Sequence, residues 1–515
     1  DRIDVQLILY HSSHLLQAVS VYHNALCIDK QDFCSHNRDN FRKEQQMGFG
    51  LFKKKASAGL VLINGCVHTM DPEDPRAEAV ACAGGKIIAV GTSEDIKSMI
   101  SAETKIIDLE GRHLTPGWID LHSDPIPRVF AEQYLPLSED MAIAELTGAV
   151  AEYVKNHPAE DRYLAYGYDP SKIIENEMPG IREALNDTAP EKPLVLVASD
   201  GFHMILNGKA AELAAREAEE LGMPAVTPAL VTAVLLSADI GVLLEKLDKH
   251  TLAQAQRGIT TEFVLPSFSH FENIFRELMV DACQADLLRQ RYQGSLLVNA
   301  PLPERLILHQ MAQKHTACAE LKGMIQFRTL FLCFSGTEDC SQYMSETYLR
   351  QLCELVADKG YHIRMKALDR PAALTALRLS SELKTSYRKS SFIVEHTETL
   401  TAEERASLLT ADIYEYTEES RSNNYGAPGE ILESHTLRNA DLLAQSQDCG
   451  SVEVGKWADF AVFEEDPESP AFIPGNAWMT LTGGRVVWDS RNAAPEDWAG
   501  KIREAAFSCN EPTGF

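Results

Sequence analysis

The strongest constraint on the fold is an alternation of apolar strands with helix-like segments in the middle of this 515-residue chain. Each of four apolar runs is followed by a stretch with the spacing of an amphipathic helix. These runs read PLVLVAS, GMIQFRTLFLCF, YHIRMKA and SSFIVEH. A strand followed repeatedly by a helix predicts a parallel sheet with crossover helices. The pattern alone leaves two architectures open, a (β/α) barrel and a doubly wound sheet.

Two strand-rich blocks flank this middle region. They run from Ala58 onward and again after Gly450, with the Gly84-Gly85 pair typical of a hairpin turn. We therefore expect one small β-domain made from both ends of the chain. The predicted division is an extension (1–57), a composite β-domain (58–115 plus 450–490), a barrel (116–449) and a C-terminal tail (491–515).

Composition narrows the classes of partner. The formal net charge is -27, and a surface this acidic repels nucleic acid and anionic membranes. Eleven cysteines include no CxxC pair, which is typical of reduced thiols in a cytoplasmic protein. No uninterrupted apolar run reaches the length needed to cross a bilayer. We expect a small-molecule substrate or anion as the partner, and homo-oligomers remain open.

The segment Leu114–Asp124 reads LTPGWIDLHSD and narrows the choice of fold. It resembles the first barrel strand of the amidohydrolase superfamily, in which a PGxIDxHxH strand supplies two metal ligands. Segments between Ala58 and Trp488 resemble the YtcJ-like branch, amidohydrolase family 3. The resemblance implies a TIM-type (β/α)8 barrel with one or two divalent metals. It also implies hydrolysis of carbon–nitrogen bonds other than peptide bonds in small molecules.

The resemblance points to three candidate metal ligands. His122 and Asp124 stand two residues apart, so their side chains leave one face of the first strand. His396 ends the later IVEH strand. Three protein ligands and a water can form a catalytic zinc site, so the predicted cofactor is one divalent metal, zinc or manganese, or none. The alternatives are a hydrogen-bonded core histidine and a turn aspartate.

The strand that precedes the IVEH strand in the sequence departs from the family pattern. Where a relative reads roughly HxHAxGD, this chain reads RMKALD, and Arg364 and Lys366 share one face. Two fixed positive charges pointing inward would exclude a second metal ion. They would instead bind an anion or an anionic substrate. In the alternative, both side chains extend outward to solvent.

The end of the barrel is shorter than the family requires. Between the strand at Ile413 and the helix that opens near Glu430, there is too little chain for a βα unit of about 30 residues. The sequence therefore predicts that an eighth strand and its general-base aspartate are missing. The linker 420–429 or dimerisation could cover the exposed edge. The catalytic residues remain unknown.

Three functional interpretations remain open. One is a metal-dependent hydrolase with a minimal, eroded site at His122, Asp124 and His396. Another is a non-catalytic homologue that binds an anionic small molecule through Arg364 and Lys366, or acts as a scaffold subunit. A decayed or mis-assembled gene whose product folds poorly is the third.

We predict that the ordered fold begins near Met47 rather than at Asp1. The apolar residues of the first segment have no regular spacing, and apolar runs typical of strands start only after the run Lys53–Lys55. Deleting Asp1–Gln46 should leave the melting temperature, measured by calorimetry, nearly unchanged. A fall of more than a few degrees would instead mean that this segment packs on the folded part.

Overall fold

The computed structural model describes residues 58–492, apart from 124, 126–133, 139, 174–176, 199–202, 221–239, 265–278, 281, 284–287, 319–320, 322, 339, 341, 409–413 and 417–427. The predicted extension 1–57 lies outside these residues, as do Asp124 and most of the predicted tail. Within the described part of the chain, no helix is long and apolar enough to span a bilayer.

The described strands are numbered in chain order. They are β1 (Leu60–Ile63), β2 (Cys66–His68), β3 (Arg76–Ala77), β4 (Ala79–Ala83), β5 (Lys86–Gly91), β6 (Lys105–Asp108), β7 (His113–Pro116), β8 (Trp118–Ser123), β9 (Leu135–Pro136), β10 (Tyr163–Tyr168), β11 (Leu194–Ala198), β12 (Met204–Leu206), β13 (Ile259–Val264), β14 (Arg291–Val298), β15 (Ile325–Phe334), β16 (His362–Ala367), β17 (Phe392–Glu395), β18 (Tyr414–Tyr416), β19 (Phe460–Phe463), β20 (Met479–Thr482) and β21 (Arg485–Asp489).

The longer helices mostly lie between these strands. They are Ile143–Asn156, Met178–Thr188, Gly208–Glu220, Ile240–Gln256, Glu304–Ala317, Glu346–Asp358 and Arg370–Ser386. Shorter helical segments are Ser93–Lys97, Pro170–Lys172, Ala402–Leu408, Pro428–Glu433, a π-helical turn at Ser434–Arg438, and Asn439–Leu442.

Seven parallel strands form the central sheet, in the order β18-β17-β16-β15-β14-β13-β8. Apolar residues line the interior between the sheet and the helices that follow its strands. The predicted parallel sheet with crossover helices is therefore confirmed. In the described residues, β8 and β18 form its two edges, and no eighth strand joins them.

This sheet is curled rather than flat. Strands β8 and β16 are four positions apart, which in a flat sheet would separate them by about 19 Å, since neighbouring strands lie about 4.8 Å apart. Yet the Arg364 side chain on β16 donates a hydrogen bond of 2.9 Å to the carbonyl oxygen of Leu121 on β8. The strands thus bend around a common interior as in a barrel, which remains incomplete over the described residues.

One predicted strand belongs to a different sheet. The run PLVLVAS forms β11, which lies in a separate four-stranded sheet ordered β12-β11-β10-β9. Its neighbour β10 is parallel to it, whereas β12 is antiparallel. All five residues of β11 are buried, so its apolar pattern resembles that of a barrel strand. Such a pattern indicates burial on both faces but does not say which sheet the strand joins.

Strands from both ends of the described chain pair in a six-stranded sheet ordered β21-β20-β19-β7-β2-β3. A second sheet, β5-β4-β1-β6, packs beside it through a shared apolar core that includes Leu62, Leu114 and Phe460. The domain boundaries suggested by the sequence stay a prediction.

Gly258 marks the contact between the barrel and the six-stranded sheet. It precedes β13 with φ +83, a conformation that side chains with a Cβ rarely adopt. A Cβ atom there would lie 2.8 Å from Ala461 Cβ and 3.1 Å from Phe463 Cζ, both on β19. The position is therefore restricted by backbone conformation and by packing together.

We expect Gly258→Ala to lower the free energy of unfolding by about 2–4 kcal/mol, because left-handed strain and overpacking add. Gly360→Ala is the matched control, since Gly360 has φ +76 but no atom within 4 Å of a built Cβ. The control should lose only about 1 kcal/mol in urea denaturation. Equal losses for the two variants would contradict a tight contact at β19.

Candidate active site

The predicted site residues lie toward the carboxyl ends of the barrel strands. His122 is near the end of β8, Lys366 near the end of β16, and His396 directly follows β17. In parallel barrels the carboxyl ends of the strands meet on one side, where active sites form. Asp124 lies outside the described residues.

Arg364 joins several of these elements. Its side chain is 0% exposed, and its Nε donates a short hydrogen bond to Glu395 Oε1 on β17. Its Nη1 donates to the Leu121 carbonyl oxygen at 2.9 Å. Its Nη2 lies 3.2 Å from His122 Nδ1. The structure therefore brings Arg364 and His122 into contact.

Two aromatic rings lie around the guanidinium. Its central carbon stands 4.6 Å from the centroid of Phe263 and 5.7 Å from that of Phe331. Cation–π contacts of this kind are favourable, particularly where water is excluded. Arg364 thus points into the barrel interior, and the alternative of an outward, solvent-exposed side chain does not hold for it.

This arrangement determines the state of His122. A guanidinium carries only donors and stays protonated in proteins, so His122 Nδ1 must accept the hydrogen bond. The neutral ring then carries its proton on Nε2. The Nδ1 lone pair is thus committed to Arg364, and a buried positive charge lies beside it. A divalent metal ion does not fit at His122 while Arg364 holds this position.

The second predicted cation differs from the first. Lys366 is only partly buried, and it pairs in register with Cys333 on β15 and Glu395 on β17. Burial raises the pKa of the Cys333 thiol to about 11, although the Lys366 charge lowers it. Arg364, by contrast, is already paired with the Glu395 carboxylate.

His396 has an unusual backbone conformation. Its φ is +62, in the left-handed region that residues other than glycine seldom occupy. It immediately follows Glu395, whose carboxylate turns to Arg364.

By contrast, His362 lies at the opposite, amino end of β16, where its Nδ1 accepts from the backbone N–H of Ser391 at 3.2 Å. Burial lowers the pKa of His362 to about 4, so this ring is neutral and structural.

Sequence reasoning missed a buried glutamate on the opposite face of β13. Glu262 Oε2 accepts hydrogen bonds from His250 Nε2 at 3.0 Å, Gln254 Nε2 at 3.2 Å and Ser123 Oγ. Burial raises the pKa of Glu262, but the charge of His250 and these hydrogen bonds outweigh burial and hold it below its usual range. The available signal was a single charged residue in the otherwise uncharged strand ITTEFV.

This network lies on the helix side of the sheet. His250 and Gln254 belong to the helix Ile240–Gln256, whereas Phe263, the neighbour of Glu262, faces Arg364 in the interior. Successive strand residues point to opposite faces, so Glu262 and Arg364 are separated by the sheet. Glu262 therefore anchors a helix to β8 and β13 rather than lining the barrel interior.

Comparison with known proteins finds a family match over part of the chain. Residues 105–263, from β6 through β13, match the sequence profile described as "Amidohydrolase family". The predicted resemblance is confirmed. The matched range includes β8 with His122, but not β16 or β17.

Two relatives show how far the similarity extends. The chain is 26% identical over 156 residues to the N-substituted formamide deformylase of Arthrobacter pascens, covering 30% of this chain and 29% of that protein. It is 25% identical over 158 residues to the exoenzymes regulatory protein AepA of Pectobacterium carotovorum subsp. carotovorum, covering 30% and 34%. The chain thus spans about a third of the length of the curated relatives it matches.

A solved structure is similar over most of the chain. An uncharacterised metal-dependent hydrolase from Pyrococcus horikoshii aligns with a TM-score of 0.50 at 13% identity. The alignment covers 83% of this chain and 99% of that one. At 13% identity this likeness shows a similar fold and nothing further.

We expect Arg364→Met to lower the free energy of unfolding by about 3–5 kcal/mol, because it leaves the buried Glu395 carboxylate without its cation. The double variant Arg364→Met/Glu395→Gln should recover much of this loss. As a control, Arg370→Met removes one partner of a more exposed pair, Arg370–Glu404, and should cost much less stability, because solvent screens that pair. If the Arg364 variant unfolds no more easily than the control, the buried pair does not support the barrel.

Proposed function

We propose that this protein is a hydrolase of carbon–nitrogen bonds other than peptide bonds in small molecules, with a barrel site altered from the family pattern. The match over 105–263, which includes the strand carrying His122, is the observation that carries the proposal. The relative from Arthrobacter pascens, a deformylase of N-substituted formamides, suggests the first class of compounds to test.

The residues at the barrel edge suit a substrate with a polar carbonyl or carboxylate group. With its proton on Nε2, His122 is a hydrogen-bond donor, and Lys366 adds a partly buried positive charge at the same end of the sheet. Such groups bind and orient an oxygen that gains negative charge during attack on a carbonyl. Neither of these two side chains is a general base in this arrangement. A metal ion does not fit at His122 beside Arg364.

A second candidate is favoured by Arg364 itself. It stands where the family pattern has a ligand histidine, and its contact with His122 withholds a ligand nitrogen from a metal. A homologue that has lost catalysis would keep the barrel and use Lys366 to bind an anionic small molecule, or would serve as a scaffold subunit. This candidate needs neither a metal nor a base.

The test is turnover of a panel of N-formyl and N-acyl amines, measured with metal-depleted protein and after addition of zinc or manganese. If the protein is a hydrolase, His122→Asn should lower kcat/KM by about 100-fold or more, since an oriented donor at the reacting carbonyl is lost. His157→Asn is the matched control, because His157 is an exposed residue at the end of a surface helix.

Absence of turnover of every compound in the panel by the wild type, with and without added metal, would contradict the hydrolase. In that case, small carboxylates or phosphate should raise the melting temperature of the wild type but not of Lys366→Gln, and this result would support the anion-binding homologue. A metal-dependent rate that is unaffected by His122→Asn would also contradict the site proposed here.

A further inference from the structure

Side chains of metal-ligand type meet at one corner of the six-stranded sheet, away from the barrel residues described above. Cys66 and His68 lie two residues apart on β2 and therefore share one face. His113 begins the neighbouring strand β7, where it pairs in register with Cys66. Asp466 and Glu468 follow β19, which pairs with β7 on its other side.

The distances within this corner are short. His68 Nε2 lies 3.0 Å from His113 Nδ1, and Asp466 Oδ1 lies 3.6 Å from the first nitrogen and 3.8 Å from the second. Ligand atoms of Cys66, His68 and His113 all lie within 4.8 Å of one another. Ligand atoms of a second group, made of His68, Asp466 and Glu468, also lie within 4.8 Å of one another. His68 belongs to both groups.

His68 is the centre of the cluster and has an unsatisfied atom. Its side chain is 0% exposed, yet Nδ1 makes no hydrogen bond. The carboxylate oxygen Glu468 Oε1 lies 3.5 Å from this nitrogen, and Arg76 Nη2 holds the other oxygen of Glu468 at 2.6 Å. Buried polar atoms without partners are uncommon and call for a physical explanation. The packing of β2 and β7 accounts for the burial of His68, and the hydrogen bond between its Nε2 and His113 Nδ1 orients the ring, but neither gives Nδ1 a partner.

We propose that this corner is a binding site for a divalent ion of the zinc class. Its ligands are Cys66, His68, His113 and Asp466. Glu468 is a positioning residue that accepts the Nδ1–H of His68 once Nε2 binds the ion. Histidine ligands commonly donate their second N–H to a carboxylate in this way, and the proposal gives the unsatisfied Nδ1 a partner.

The ligand set and spacing select the kind of ion. In a tetrahedral zinc site, nitrogen and oxygen ligands at about 2.0–2.1 Å from the ion stand about 3.3 Å from each other. The three separations of 3.0, 3.6 and 3.8 Å lie on both sides of this value, so small side-chain shifts suffice. A thiol and two imidazoles suit zinc and similar transition metals, whereas calcium and magnesium require oxygen ligands.

Burial and exposure at the corner define its role. His68 is enclosed, but the Asp466 side chain is 45% exposed, so an ion can enter from solvent. Four protein ligands leave no open position for a substrate, which is typical of a structural site. An ion here would join β2, β7 and the segment after β19, which lie far apart in sequence. The site does not depend on the proposed hydrolase function.

The experiment uses the full-length protein and Co²⁺ as a spectroscopic substitute for Zn²⁺. We expect binding to give the thiolate-to-cobalt charge-transfer absorption, which Cys66→Ser should abolish. His113→Gln should weaken Zn²⁺ binding by about 100-fold or more, and Glu468→Gln by about 10- to 100-fold, measured by calorimetric titration. Neither His113 nor Glu468 is fully buried, so both variants should fold.

Two control variants separate this corner from other sites. Cys340→Ser removes a partly buried thiol near the barrel, and His122→Asn removes the predicted barrel ligand. Both should keep the charge-transfer absorption and the affinity of the wild type. Loss of the absorption in either control, or unchanged Zn²⁺ affinity in Cys66→Ser and His113→Gln, would overturn the proposal. So would a wild-type Co²⁺ spectrum without a thiolate band.

Discussion

The barrel interior depends on one buried ion pair, between Arg364 of β16 and Glu395 of β17. Enclosing a guanidinium is costly unless its N–H groups find acceptors, and here a carboxylate, a backbone carbonyl and an imidazole each accept from one of its three nitrogens. These acceptors come from β17, which is next to β16, and from β8, which lies across the barrel interior. The same side chain therefore holds β8 against β16 and fixes the hydrogen-bonding state of His122. Architecture and chemistry at the strand ends cannot be altered independently.

Local patterns were sufficient to predict the type of fold. Apolar runs separated by helical spacing predicted the parallel sheet, and the PGWIDLH segment indicated the family. The assignment of PLVLVAS to the same sheet was wrong, because burial on both faces is common to β11 and to the barrel strands. Which sheet a strand joins depends on contacts between distant segments, and these leave no trace in its own residues.

The candidate site was less predictable from the sequence. The replacement of histidine by Arg364 was visible, but its pairing with Glu395 requires two strands to lie side by side in a known register. The anion interpretation treated Arg364 and Lys366 as equivalent, whereas only Lys366 remains partly exposed. The cluster at His68 was not recognised, since its members lie on β2, on β7 and after β19 and show no ligand spacing along the chain.

The six-stranded sheet also sets the order in which the chain can fold during synthesis. Thr115 on β7 donates a hydrogen bond to the carbonyl oxygen of Ala461 on β19, 346 residues later. At 5–20 residues per second, the ribosome takes roughly 20–70 s to make the intervening chain. Throughout that interval the edge of β7 that faces β19 has no partner. Strand β7 can therefore complete its pairing only after β19 has been synthesised, and until then its open edge is able to pair with strands of other chains.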